Sequence, residues 1–155
     1  MTAAESFDTG IARQIGHYAD AVRVPAGHDQ ILVSGTPGLA PDGSLPGDMS
    51  GQATQAWQNI QTTLSQAGAS LSDIVSVRQW LTSAEDIRAY VEVRNKFIPH
   101  KPAALLGVIP GLVRPDFLIE IEVVAAVPAG KVKGGPVTSH TRKRRPRDSS
   151  PAPGK

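Results

Sequence analysis

From Phe117 to Val124 apolar and polar positions alternate. Phe117, Ile119, Ile121 and Val123 fall on one side of an extended backbone, and Leu118, Glu120, Glu122 and Val124 on the other. The spacing predicts a strand over 117–127 with one wholly apolar face and one face carrying two carboxylates among apolar neighbours. A carboxylate on a covered face needs a partner or a task; on an edge strand in water it needs neither. Upstream the period changes to three and four. Ala53, Ala56, Trp57, Ile60 and Leu64 predict a helix from Ser50 to about Gln66, with Gly68 placed for a left-handed C-terminal cap. Ile87, Tyr90, Val91, Arg94 and Phe97 predict a second helix over 83–97, and the β-branched run at 72–81 predicts a strand between the two. A further strand is predicted over 103–109. Nearer the N-terminus, 17–24 and 30–35 predict a hairpin turning at residues 25–29, and the Pro and Gly breakers through 36–49 predict an irregular loop. The order strand, strand, helix, strand, helix, strand, strand packs economically as an α+β domain, a mixed sheet with two helices on one face.

Composition narrows the functional classes. A chain of 155 residues with 40% hydrophobic content has room for one domain with a substantial core. It has no cysteine, which excludes disulfides and thiolate chemistry. No basic segment followed by an apolar run opens the chain, and no apolar stretch is long enough for a bilayer, so the expectation is a cytoplasmic protein without membrane contact. The formal charge of +2 divides unevenly. Residues 131–155 carry +7, leaving −5 for residues 1–130. That tail is rich in Gly, Pro and Ser and is expected to be disordered. Its basic cluster at 142–147 either holds nucleic acid or another anionic surface, weakly and in a salt-dependent way, or is solvated without a dedicated partner. The expected organisation is an N-terminal extension at 1–9, one domain at 10–128 and the basic tail at 129–155.

Several segments carry a resemblance: GHYADAV at 16–22, Val33-Ser34-Gly35, QAGASLSD at 66–73, the strand at 75–82, Pro102-Ala103, and LIEIE at 118–122. In order and spacing they resemble the Rid (reactive intermediate deaminase) or YjgF-like proteins, over about residues 10–127. The resemblance implies a chorismate-mutase-like α+β fold and a homotrimer that binds small molecules in three clefts between subunits, with no metal and no organic cofactor. Members with deaminase activity hydrolyse enamines and imines to keto acids and ammonia. They clamp the substrate carboxylate with an arginine directly after the Pro-Ala that opens the fourth strand.

At that position this chain has Ala104, which has no group to bind an anion. Thr36 stands where a glutamine commonly follows Ser-Gly, and Val91 where an asparagine is common in the second helix. The resemblance therefore implies a rebuilt pocket and a changed specificity. Glu120 matches the family acid that positions or activates water, a role suited to a carboxylate in an apolar cleft; a salt bridge across the trimer contact is its other reading. Tyr18 matches a pocket tyrosine able to donate to substrate or orient water, or else is a half-buried strand aromatic. Gly35 matches a strand-end glycine whose backbone approaches the ligand. Arg114, in Leu112-Val-Arg-Pro115, is either a replacement anchor for an anion or an exposed loop arginine. His17 stands where many members have proline, and is either a base near neutral pH or a solvated histidine at a strand start. Trp80, on one strand face with Arg78, reads as core or trimer contact, with stacking on a ligand as the other choice.

Other catalytic patterns are missing. The sequence has no phosphate-binding glycine loop, no His-Glu-x-x-His, no histidine pair at metal-ligand spacing and no nucleophile elbow around Ser34. Three functions remain: an enzyme acting on imines, enamines or related reactive small molecules, a non-catalytic trimer binding a metabolite or partner, and an RNA-binding or endoribonuclease-type protein aided by the basic tail.

Overall fold

The computed structural model describes residues 4–131. The basic cluster at 142–147, and most of the tail expected to be disordered, lie outside the described residues. The elements are β1 (Glu5–Phe7), α1 (Ala12–Ile15), β2 (Ala21–Arg23), β3 (His28–Pro37), α2 (Met49–Gln66), β4 (Ile74–Leu81), α3 (Ile87–Phe97), β5 (Ala103–Val108) and β6 (Ile119–Pro128). The main sheet has the order β3-β6-β4-β5. β6 runs antiparallel to both β3 and β4, while β5 lies parallel to β4, the arrangement that α3 permits as the crossover between them. This is the expected mixed α+β sheet.

The expected hairpin at 25–29 does not form. β2 shrinks to Ala21–Arg23 and pairs with β1, and β3 takes β6 as its neighbour. The reason is the distribution of apolar side chains. Ile31 and Val33 belong to the core that β6 completes, whereas β2 buries none of its residues fully and finds a backbone partner in an equally short, exposed strand. Residues 5–9 are consequently part of the folded unit instead of an extension. The amide and hydroxyl of Thr9 both donate to Asp20 Oδ2, at 2.6 and 2.9 Å, and the Ala12 amide donates to Asp20 Oδ1 at 2.8 Å.

α2 begins where Asp48 accepts the Gly51 amide at 2.8 Å, and ends at Gly68, whose φ of +77° is the left-handed cap that the sequence predicts. Its stripe of Ala53, Ala56, Trp57, Ile60 and Leu64 is wholly buried against Ile119, Ile121 and Val123 of β6, Val77 and Leu81 of β4, and Tyr90 of α3. Buried Gln52 fastens the stretch that leads into β6. Its Nε2 donates to the Asp116 carbonyl and its Oε1 accepts the Leu118 amide, at 2.9 and 2.8 Å. No described helix is long and apolar enough to cross a membrane.

Candidate functional site

The predicted site residues fall into two groups on opposite faces of the sheet. The first group surrounds a cavity of about 520 Å³ whose lining includes His17, Tyr18, Gln79, Arg94 and Ala104. The segment before β2 is drawn over α3 and β5 by backbone bonds. Ala19 N donates to the Pro102 carbonyl at 3.0 Å, and Ala19 bridges Ala103 in parallel register. His17 is fixed by its ring, since Nε2 lies 2.8 Å from the Pro99 carbonyl and must be the donor there. That nitrogen is thereby engaged, which leaves Nδ1 for any proton-accepting role of His17. Beneath the cavity, Tyr90 donates to Gln79 Oε1 at 2.7 Å and Gln79 Nε2 donates to the Leu105 carbonyl at 2.7 Å. Burial pushes the Tyr90 phenol well above its ordinary range, so it stays a neutral donor. This buried relay holds the β5 backbone next to Ala104.

The second group lies on the face without helices. Alternation along β6 sends Ile119, Ile121 and Val123 to the core, so Glu120 and Glu122 point the other way. Between Val33 and Thr36 the β3–β6 register shifts by a bulge, which sets Gly35 beside Glu120. The approach is so close that a Cβ on Gly35 would sit 2.0 Å from Glu120 Oε1. Any side chain at 35 would displace the Glu120 carboxylate; the neighbour here is a carboxylate of the same chain, whereas the sequence reading expected the Gly35 backbone to approach a ligand. Thr36, next along, donates from its hydroxyl to the Ser34 carbonyl at 2.9 Å. The side chain of half-buried Glu120 makes no hydrogen bond or ion pair with any described residue. Across the register from it is Trp80, whose ring lies so close to Gly107 that a Cβ there would meet Cζ3 at 2.8 Å.

Arg114 does not line the Tyr18–Ala104 cavity. Its Nε and Nη2 grip the two carboxylate oxygens of Asp116, and its guanidinium carbon stands 4.7 Å from the centre of the Phe117 ring. The Arg114 hydrogen bonds hold the Asp116 carboxyl below its usual range. A fork already occupied in this way is poorly suited to the anchor role that sequence reading allowed it. Two polar side chains of the cavity, Gln79 and Arg94, went unassigned in the sequence. The available signal was an arginine repeating in step with the buried stripe of α3. Among the described residues no group of three or more His, Asp or Glu side chains could hold a metal ion.

Comparisons with known proteins agree with this fold. Residues 11–127 match the family described as Endoribonuclease L-PSP, the Rid or YjgF-like family. The chain belongs to this family. It is 30% identical to a RutC family protein of Pyrococcus abyssi over 115 residues, 73% of this chain and 88% of that one. Over 81 residues it is 37% identical to the 3-aminoacrylate deaminase RutC of Acinetobacter baylyi, covering 52% of this chain and 64% of that one. Among solved structures, E. coli TdcF with bound serine is 26% identical and superposes with a TM-score of 0.60, over 77% of this chain and 91% of the other.

Proposed function

We propose that the chain is a cofactor-independent hydrolase of small imines or enamines, acting in a cleft that two protomers of a homotrimer complete. One protomer supplies Tyr18, His17 and Ala104, and its neighbour supplies Glu120, Gly35 and Thr36. The observation that carries this reading is the Glu120 carboxylate, held against the Gly35 backbone on an open sheet face of mixed polar and apolar residues with no described side-chain partner. A second protomer is the natural cover for that face, which leaves Leu32 73% exposed and Leu105 46% exposed. The RutC relative's name, 3-aminoacrylate deaminase, supports the reaction class.

In this reading Glu120 takes a proton from water as the water oxygen bonds to the C=N carbon, and the nitrogen gains a proton. The hydroxyl proton of the resulting carbinolamine then passes through Glu120 to the nitrogen as the C–N bond breaks, giving the carbonyl and ammonia. An enamine enters the same path after protonation at carbon. Tyr18 orients the ligand through its phenol. Ala104 in place of the clamp arginine changes how the ligand is held, and so the specificity. The test is ammonia release from freshly generated 2-aminoacrylate and from neutral imine analogues, with the native protein and with Glu120→Gln. Glu120→Gln is expected to lower turnover roughly a hundredfold or more. No release from either substrate class by the native protein would instead favour a trimer that binds a metabolite without converting it.

A further inference from the structure

Arg94 is 5% exposed, and the only described partners of its side chain are reached through Nη1: the His17 carbonyl at 3.1 Å and Asn95 Oδ1 at 3.4 Å. Nε and Nη2 are buried without any hydrogen-bond partner. Leaving two guanidinium donors unpaired in the interior is costly, so their presence calls for a ligand or a compensating role. Holding His17 in place engages Nη1 alone and leaves the other two donors unexplained. These two atoms share one edge of the guanidinium, and it is the edge with which Arg114 grips both oxygens of Asp116 in this same molecule. Planar, two-oxygen anions match that fork. Arg94 lines the cavity that contains Tyr18 and Ala104. It also lies on the sheet face to which Ala104 points, since Ala104 pairs in register with buried Val77.

We infer that Arg94 is the anion anchor of this cavity, gripping the carboxylate of a small imine, enamine or keto acid from α3 instead of from β5. The inference rests on the proposed reading of the cavity as the ligand site, and it names what that site selects. It also accounts for Ala104. A second guanidinium from β5 would face the first across one small cavity with a single carboxylate to share, whereas alanine leaves the space to the ligand. Because Nε and Nη2 are closed to water, binding requires their cover to move. Burial already holds the proton affinity of the guanidinium below its ordinary value, and a carboxylate partner reverses that penalty.

The test is binding, without turnover, of pyruvate against methyl pyruvate, which differs by the loss of the carboxylate charge. The native protein is expected to bind pyruvate more tightly by about tenfold or more, and the Arg94 Nε–H resonance is expected to shift with pyruvate and not with the ester. Arg94→Met should weaken pyruvate binding by roughly 10- to 100-fold, Arg94→Lys by less, and Ala104→Arg added to Arg94→Met should restore much of it from the opposite wall. Equal binding of acid and ester by the native protein, or unchanged pyruvate binding by Arg94→Met, would overturn the assignment. The native comparison decides the matter even if Arg94→Met does not fold. Neutral-imine turnover without preference for pyruvate would sink the anchor and spare the hydrolase. Tight pyruvate binding through Arg94 without ammonia release from any imine would do the reverse.

Discussion

The two faces of the main sheet are built from the same strands and do opposite work. Toward the helices, Ile119, Ile121 and Val123 of β6 meet Trp57, Ile60, Leu64 and Tyr90, and nothing is left exposed. On the other side, one residue along in each case, the strands present Leu32, Arg78, Trp80, Glu120 and Glu122 to the surroundings. A period of two lets one strand belong to the core and to an open face at once, and so places a carboxylate without a described side-chain partner on a backbone as rigid as the core itself. The Tyr18–Ala104 cavity and the Glu120–Gly35 pair lie on different faces, so in the proposed reading one protomer alone does not complete the cleft.

The contrast predicts which substitutions harm activity and which harm the fold. The largest effect on turnover is expected from Glu120→Gln, roughly a hundredfold or more, with thermal stability near native because the side chain is not part of the core. Gly35→Ala comes next. Its methyl would lie 2.0 Å from the present position of Glu120 Oε1, so the carboxylate must swing away; turnover is expected to fall about tenfold or more while the helix-side core stays intact, which steady-state kinetics and thermal melts together would check. On the core side the order reverses. Tyr90→Phe leaves Gln79 Oε1 without its donor and should cost about 1–3 kcal/mol in denaturant unfolding, with a smaller effect on turnover through the β5 backbone.

A fourth change sharpens the contrast at the sheet's uncovered side. Leu32→Glu puts a charge on an exposed position of β3. Analytical ultracentrifugation is expected to show dissociation toward monomers, and unchanged assembly would mean that the open face is covered by something else. The smallest effect concerns the N-terminal segment. Around Asp20, burial raises the carboxyl's proton affinity, but hydrogen bonds from Thr9, Ala12 and Ile11 together outweigh it and lower the pKa. A carboxyl depressed in the folded state adds stability above the unfolded value of about 4, and that contribution is lost as pH falls through the folded value. Below about pH 4, faster hydrogen exchange at the Thr9 and Ala12 amides is the expected sign, and Asp20→Asn should show it already at neutral pH.

Much of the fold was legible because the relevant signals are local. The stripe of α2, its Gly68 cap, and the alternation in β6 each depend on neighbours within one element. The hairpin at 25–29 misled because pairing is a non-local choice: turn formers at Pro25, Gly27 and Asp29 are compatible with a hairpin, but they do not compete with the apolar partner that β6 offers to Ile31 and Val33. The site was half legible. Glu120, Gly35, Tyr18 and Ala104 stand out by family pattern, yet their division between two faces appears only once strand register is known. Arg94 was hidden because a long amphipathic side chain at the edge of a helical stripe normally snorkels to water, and only the folded structure places it 5% exposed with its fork unpaired.

The claim that binds these observations together is that a working cleft needs both faces, each from a different protomer. It is tested most directly by complementation. Tyr18→Ala and Glu120→Gln, each expected to be nearly inactive alone, are co-expressed with different tags, and mixed oligomers are isolated and assayed for ammonia release from imines. Mixed oligomers contain clefts in which intact Tyr18 of one subunit meets intact Glu120 of another, so the account predicts recovery to a substantial fraction of native turnover. Mixed oligomers as inactive as their parents, with each parent correctly folded and assembled, would contradict it.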